Sequence, residues 1–139
     1  MLEFLQENWL LIAGLALVAV VMLRGPLMLR LHRVGRVDPA AAVNLINRQG
    51  ARVLDVREDS EWQQGHIPDA IHIPLGQLGS RLSELDAYKG EDTPLVVACR
   101  SGNRSSMAAV RLRKAGFQSV YNLEGGTMAW QQAGMPLQS

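Results

Sequence analysis

The residues best suited to chemistry lie in one stretch, LVVACRSGNRS, at residues 95–105. It contains Cys99, the single cysteine of the 139-residue chain, so an intramolecular disulfide is excluded. Arg100 and Arg104 place positive charge beside this thiol. Because the thiolate is the reactive form of cysteine and is favoured by nearby cations, the stretch predicts covalent chemistry at sulfur.

The local pattern places Cys99 where α/β proteins bind ligands. The apolar run Leu95–Ala98 is typical of a buried parallel strand, and residues 105–115 predict a helix that Gly116 ends. Ligands of open α/β sheets bind beyond the carboxyl ends of strands, near helix amino termini. A cysteine at a strand end is otherwise a small buried apolar residue. Gly102 and the two arginines favour an anion cradle around the sulfur instead.

The rest of the carboxy-terminal part alternates short apolar runs with helical patterns. Asp38 and Pro39 predict an amino-terminal cap and first turn. Helices are predicted at 40–50, 60–64, 80–88 and 127–133, and further strands at 53–56, 71–73 and 120–122. Strands that alternate with helices indicate an α/β fold, with a mainly parallel central sheet flanked by helices.

The amino-terminal part has the composition of a membrane helix. Residues 9–23, WLLIAGLALVAVVML, carry no polar side chain, and the apolar segment extends back to Phe4. A helix over 4–23 reaches roughly 30 Å, the thickness of a hydrocarbon core. A secretory signal peptide would need positive charge before the run, where only Glu3 and Glu7 stand. We therefore predict one transmembrane anchor at 4–23.

The charges that follow the anchor predict its orientation. Arginines recur at 24, 30, 33 and 36, and no acidic residue appears until Asp38. Positive charge stays on the cytoplasmic side, so we expect a single-pass membrane protein with its amino terminus outside and its domain in the cytosol. Residues 24–37 are predicted to be a basic linker that also contacts the lipid bilayer, and residues 38–139 the folded domain.

Composition excludes several other classes of function. Lysine and arginine total 14 against 13 acidic residues, a net charge of +1, without a basic stripe that nucleic acid would need. No cysteine and histidine cluster has the spacing of metal ligands, so no metal site is expected.

Three segments in order resemble the rhodanese (sulfurtransferase) family. The residues CRSGNRS at 99–105 look like its active-site loop. The segments LDVREDSEWQQGHIPDAIHIP at 54–74 and NLEGGTMAWQQAGMP at 122–136 match the same family. Together with the anchor, the chain is similar to the membrane-attached single-domain rhodaneses of bacteria.

The resemblance implies a two-step mechanism at Cys99. Its thiolate would take the outer sulfur of a small anionic donor such as thiosulfate, and a thiol or protein acceptor would then remove that sulfur. The substrate-binding residues implied are Arg100, Ser101, Gly102, Asn103, Arg104 and Ser105. Asp55 and Arg57 are expected to order the loops around the site, and no cofactor or metal is implied.

Two other functions remain open from the residues. Related folds grip phosphate with an arginine six positions after the cysteine, but that position is Ser105 here and Arg104 comes one residue early. The loop is thus one residue short for a phosphatase. The domain could alternatively be a membrane-tethered interaction module that docks a membrane protein or a sulfur-handling protein.

Overall fold

A computed structural model describes the whole chain from Met1 to Ser139. The chain begins with a short helix, α1 (Leu2–Glu7), and a long one, α2 (Trp9–Leu31). By length and composition α2 is apolar enough to cross a membrane, and its most apolar part is not buried against the rest of the protein. The helix continues eight residues past Leu23, the predicted end of the anchor, and includes Pro26.

A five-stranded sheet forms the centre of the domain. Its strands are β1 (Gly35–Val37), β2 (Arg52–Asp55), β3 (Ile71–His72), β4 (Leu95–Ala98) and β5 (Val120–Leu123). They lie in the order β1-β5-β4-β2-β3, and every neighbouring pair is parallel. The predicted parallel α/β fold is confirmed. All carboxyl ends therefore meet at one edge of the sheet, which we call the Cys99 edge.

The remaining helices cover both faces of this sheet. They are α3 (Pro39–Gln49), α4 (Asp59–Gln63), α5 (Asn103–Lys114) and α6 (Gly126–Gln132). The Asp38 side chain accepts a hydrogen bond from the Ala41 N–H at 2.8 Å, so α3 begins as its sequence predicts. The segment predicted as a helix at 80–88 is a 3₁₀ helix at Leu82–Tyr88, and another short one spans Leu75–Gln77.

Alternation along the strands divides the apolar core between the two faces. In β4, Leu95 and Val97 pack on one face with Phe117, whereas Val96 and Ala98 pack on the other. All four residues of β4 are fully buried. A central strand that is covered on both faces needs a continuous apolar run. This strand can therefore be predicted from the sequence alone.

Residues 24–37, predicted to be a linker, are part of the folded structure. They contain the end of α2 and all of β1, which pairs with β5 through Gly35 and Tyr121. Leu29 is 3% exposed and packs in the core with Val34. A side chain at position 35 would overlap the Tyr121 ring, so a larger residue there would have to displace that ring. Of the three residues of β1 only Val37 is buried, so the segment has no apolar run. Its arginines indicate a linker, and the strand is therefore not predicted from the sequence.

Candidate active site

The site is built around Cys99, which follows β4 at the Cys99 edge of the sheet. The side chain is fully buried. The Gly102 N–H donates a hydrogen bond to Sγ at 3.0 Å, and Ser105 Oγ lies 3.4 Å from the same sulfur. The structure thus places the predicted nucleophile between β4 and the start of α5, with the Gly102 N–H directed at its sulfur.

The loop between β4 and α5 has several backbone N–H groups that form no hydrogen bond within the protein. No side chain caps α5, and Gly102 precedes the helix with a φ of 102°. That φ lies in the region that favours glycine. Five backbone N–H groups of the loop donate to no protein acceptor; they belong to Arg100, Ser101, Asn103, Arg104 and Ser105. Unpaired N–H groups at a helix amino terminus form a ready site for an anion.

The start of α6 fixes the opposite side of this loop. The Thr127 N–H donates to the Cys99 carbonyl at 2.8 Å, and the Met128 N–H donates to the Arg100 carbonyl at 3.1 Å. In a trans peptide C=O and N–H point in opposite directions, so the N–H groups of Arg100 and Ser101 point away from α6. A side chain at Gly126 would overlap the Cys99 carbonyl and the Arg100 backbone. Glycine at 126 therefore permits the contact that orients the loop.

Asn122 on β5 positions the loop and was not singled out from sequence. Its Oδ1 accepts from Ser105 Oγ at 2.5 Å, and its Nδ2 donates to the Gly102 carbonyl at 3.3 Å. Nδ2 also donates to Ser106 Oγ at 3.1 Å. Asn122 is 4% exposed, so these bonds satisfy a buried amide. The sequence feature that could have indicated its role is a polar residue within the otherwise apolar strand Val120–Leu123.

Arg104 is engaged by a carboxylate that the sequence reasoning also missed. Its Nη1 and Nη2 lie 2.6 and 2.8 Å from the two carboxylate oxygens of Glu61, on α4. This pair lowers the pKa of Glu61 to about 2. The same pair, and more weakly the nearby Cys99 sulfur, raises the pKa of Arg104. Arg100 is exposed and forms no salt bridge.

Asp55 and Arg57 lie at the end of β2, beside β4. The Asp55 carboxylate accepts from Nε and Nη2 of Arg57, at 3.0 and 2.8 Å, and from the Arg57 backbone N–H at 2.9 Å. Arg57 Nη2 also donates to the Gly65 carbonyl at 2.8 Å. Asp55 pairs in register with Ala98, the residue before Cys99. The pair is buried, and its bond to the Gly65 carbonyl joins the end of β2 to the loop after α4, next to the site.

The two histidines of the 54–74 segment stack on one tryptophan. The His66 ring lies 3.5 Å from the Trp62 ring, centroid to centroid, and the His72 ring lies 4.5 Å from it. His66 Nδ1 contacts the Trp62 carbonyl at 3.1 Å, and His72 Nε2 contacts the Arg57 carbonyl at 2.8 Å. A carbonyl only accepts, so each of these nitrogens carries a proton. Each ring therefore packs on Trp62 and donates to the backbone, and His72 Nδ1 also lies 3.7 Å from Asp59 Oδ1.

Comparison with known proteins places this architecture in a family. Residues 38–133 match the family model described as "Rhodanese-like domain". A sulfurtransferase of Allochromatium vinosum is 37% identical over 93 residues, which are 67% of this chain and 83% of that protein. The thiosulfate sulfurtransferase GlpE of Pseudomonas savastanoi is 36% identical over 96 residues, 69% of this chain and 86% of the relative.

A solved structure supports the same placement. The crystal structure of a rhodanese-related protein from Thermoplasma volcanium superposes with a TM-score of 0.66 at 31% identity. The superposition covers 75% of this chain and 97% of that one. Two further relatives, from Bacillus subtilis and Synechocystis, are longer, and the matched regions are 42% and 54% of their lengths.

Proposed function

We propose a sulfurtransferase activity for this chain, which belongs to the rhodanese-like domain family, with Cys99 as the residue that carries the sulfur. The observation that supports this most strongly is the hydrogen bond from the Gly102 N–H to Cys99 Sγ, which is 3.0 Å long. The other backbone N–H groups of the same loop have no acceptor in the protein. Such a loop stabilises negative charge on a sulfur or on a small oxyanion.

In the first step Cys99 accepts a sulfur from a donor such as thiosulfate. The Cys99 thiolate attacks the outer sulfur of thiosulfate, a new S–S bond forms, and the S–S bond of the donor breaks. Sulfite leaves with the electron pair of that bond, and Cys99 becomes a persulfide. Because sulfite is a good leaving group, the step needs no general acid, which agrees with the structural role of His66 and His72 in the ring stack.

The loop is suited to hold the charged persulfide. Its terminal sulfur is negatively charged, and the amides of Arg100, Ser101 and the start of α5 donate to no other group. The charge of Arg104 is neutralised by its ion pair with Glu61. Exposed Arg100 is therefore the positively charged side chain of this loop that is free to bind an anionic donor. In the second step a thiolate acceptor, or cyanide in an assay, attacks the outer sulfur and releases Cys99.

We further propose that α2 anchors this activity in the bacterial cytoplasmic membrane. Its residues from Trp9 to Leu23 are exposed although they are apolar, a surface that lipid would cover. The arginines that follow favour a cytosolic domain, where the thiol stays reduced.

Intact mass spectrometry of the full chain tests the sulfur-carrying role. After incubation with thiosulfate we expect the mass to increase by one sulfur atom, and cyanide should return it to the starting value. The Cys99→Ser variant should fold normally and gain nothing. A folded wild-type chain that gains no sulfur would overturn the proposal and favour a membrane-tethered interaction module.

A further inference from the structure

The end of α2 lies along α5 and points the same way. At the Cys99 edge, a cleft of about 280 Å³ is lined by Gly25, Pro26 and Leu29 from α2 and by Ser101, Gly102 and Asn103 from the loop. At the opposite edge, Arg113 Nε donates to the His32 carbonyl at 3.1 Å. Residues 25–32 therefore run from the Cys99 edge to the opposite edge, alongside α5.

This direction determines where the apolar part of α2 projects. Residues before Gly25 extend beyond the Cys99 edge, away from the body of the domain. Their side chains are largely exposed: Leu15 is 63% exposed, Val20 64% and Leu23 63%. The apolar segment thus leaves the domain on the side that carries the catalytic loop.

The helix and the domain are joined without a flexible linker. α2 is continuous from Trp9 to Leu31, and Leu29 and Val34 are buried in the domain core. The Val34 N–H donates to the Leu29 carbonyl at 2.9 Å and closes the turn into β1. The direction of the helix therefore sets the orientation of the whole domain.

We infer that the Cys99 edge faces the bilayer surface, and that Cys99 passes its sulfur to a thiol held in the headgroup layer. This inference rests on the proposed sulfur transfer and on the anchoring role of α2. With a helical rise of 1.5 Å per residue, Pro26 lies about 4.5 Å along the axis from Leu23. The loop that lines the same cleft as Pro26 would therefore lie at the depth of lipid headgroups.

The surroundings of this loop have the chemistry of a membrane surface contact. A neighbouring cleft of about 530 Å³ combines the apolar side chains of Leu23, Leu27 and Val34 with Arg30 and Arg36. Arg36 Nε already lies 2.7 Å from Glu124 Oε1, so Arg30 is the cation of this cleft without a carboxylate partner. Arginines beside apolar walls suit the phosphate and upper acyl chain of an anionic lipid. On the same edge, Met128 is 43% exposed next to the Arg100 carbonyl that its N–H contacts.

The transfer to such an acceptor balances without a co-reactant. The acceptor thiolate attacks the outer sulfur of the Cys99 persulfide and forms a new S–S bond. The bond between the outer sulfur and Cys99 Sγ breaks, and Cys99 leaves as a thiolate. One persulfide and one thiolate are consumed and one of each is formed, so no oxidant or reductant is needed.

Site-directed labelling in vesicles tests the orientation. Cys99 is the only cysteine, so the Cys99→Ser chain can carry one new label at either end of α5. Asn103→Cys reports on the Cys99 edge and Lys114→Cys on the opposite edge; both residues are exposed, and α5 separates them by about 17 Å. Each is labelled with bimane in phosphatidylethanolamine and phosphatidylglycerol vesicles that contain a lipid with a nitroxide headgroup.

We expect the nitroxide lipid to quench the label at 103 several-fold more than the label at 114. A third label at Met128→Cys should behave like the one at 103, which guards against local disturbance at a single position. Equal quenching at both ends of α5, or stronger quenching at 114, would overturn the inference. If the chain does not float with the vesicles in a density gradient, α2 is not a membrane anchor, and the inference is overturned.

The acceptor class is tested separately with wild-type chain loaded with sulfur. Persulfide loss is followed by intact mass in vesicles that contain phosphatidylthioethanol, a lipid with a thiol headgroup, and in thiol-free vesicles with the same total amount of a soluble thiol. Because a surface-bound acceptor has an effective concentration in the millimolar range, we expect on the order of tenfold faster loss to the lipid thiol. Loss to the soluble thiol alone contradicts the inference but leaves sulfur transfer intact, whereas loss to neither contradicts the transfer itself.

Discussion

Two arginine–carboxylate pairs flank the site, with nearly equal lengths and very different surroundings. Arg57 Nη2 lies 2.8 Å from Asp55 Oδ2, and Arg104 Nη1 lies 2.6 Å from Glu61 Oε1. The side chains of the first pair are 6% and 0% exposed, and those of the second are 34% and 26% exposed. Distance alone would rank the second pair as the stronger.

The surroundings give the opposite order of importance for folding. Asp55 and Arg57 are two positions apart, and both side chains are shielded from solvent, so neither can be hydrated when its partner is removed. Glu61 and Arg104 lie on separate elements, α4 and the start of α5, where water can solvate a released charge. The first pair is thus a buried part of the scaffold. The second affects the charge and position of the loop that follows Cys99.

The largest effect on stability is expected from Arg57→Ala. The change leaves the Asp55 carboxylate charged and unpaired in the interior and removes the donor to the Gly65 carbonyl. Breaking a buried pair in this way costs about 3–5 kcal/mol of unfolding free energy. Urea unfolding of the full chain in detergent micelles measures the loss.

The double variant Asp55→Asn, Arg57→Met is the matched control for this prediction. It removes both charges and keeps an oxygen at 55 that accepts the backbone N–H of residue 57. It should recover a substantial part of the stability lost in Arg57→Ala. A double variant as unstable as the single one would show that the unpaired charge is not the cause.

A smaller, pH-dependent loss of unfolding free energy is expected from Glu61→Gln. The pair with Arg104 lowers the pKa of Glu61 from 4.5 to about 2, so the folded state favours the ionised carboxylate. The stabilisation is complete above pH 4.5 and disappears as the pH falls toward 2. For a pair that is partly exposed, we expect Glu61→Gln to cost roughly 1 kcal/mol at neutral pH.

Urea unfolding of wild type and Glu61→Gln across this pH range checks the prediction. The difference between their unfolding free energies should shrink to zero on acidification, while the Gln variant itself has no carboxylate at 61 to protonate. A difference that stays constant down to the acid limit would mean that the ion pair does not carry the effect.

The parts of the fold that the sequence predicts well are those decided by local pattern. The run Leu95–Ala98 is buried on both faces, and Asp38 with Pro39 begins α3, so each pattern needed no distant partner to be interpreted. β1 was missed because its place depends on pairing with β5, far along the chain. Hydropathy indicated the apolar part of α2 but not its end at Leu31, because hydropathy does not report where a helix stops.

The same distinction applies to the site. Cys99 and Gly102 are three positions apart, and their contact is local, so the loop motif was sufficient to place both. Glu61 and Asn122 approach the loop from α4 and β5, at sequence separations of 43 and 17 residues from the partners they contact. Composition and spacing carry no information on such contacts, so the engagement of Arg104 by Glu61 was visible only in three dimensions.

The smallest effect is expected at a third arginine–carboxylate pair, which extends the comparison to the surface. Arg36 Nε lies 2.7 Å from Glu124 Oε1, and the two side chains are 55% and 43% exposed. Exposed pairs gain little over hydration and are screened by salt, so Glu124→Gln should change the unfolding free energy by less than about 0.5 kcal/mol. Urea unfolding at low and high salt measures it, and the high-salt difference should vanish. A loss as large as that of Glu61→Gln would show that charge geometry, and not burial, ranks these pairs.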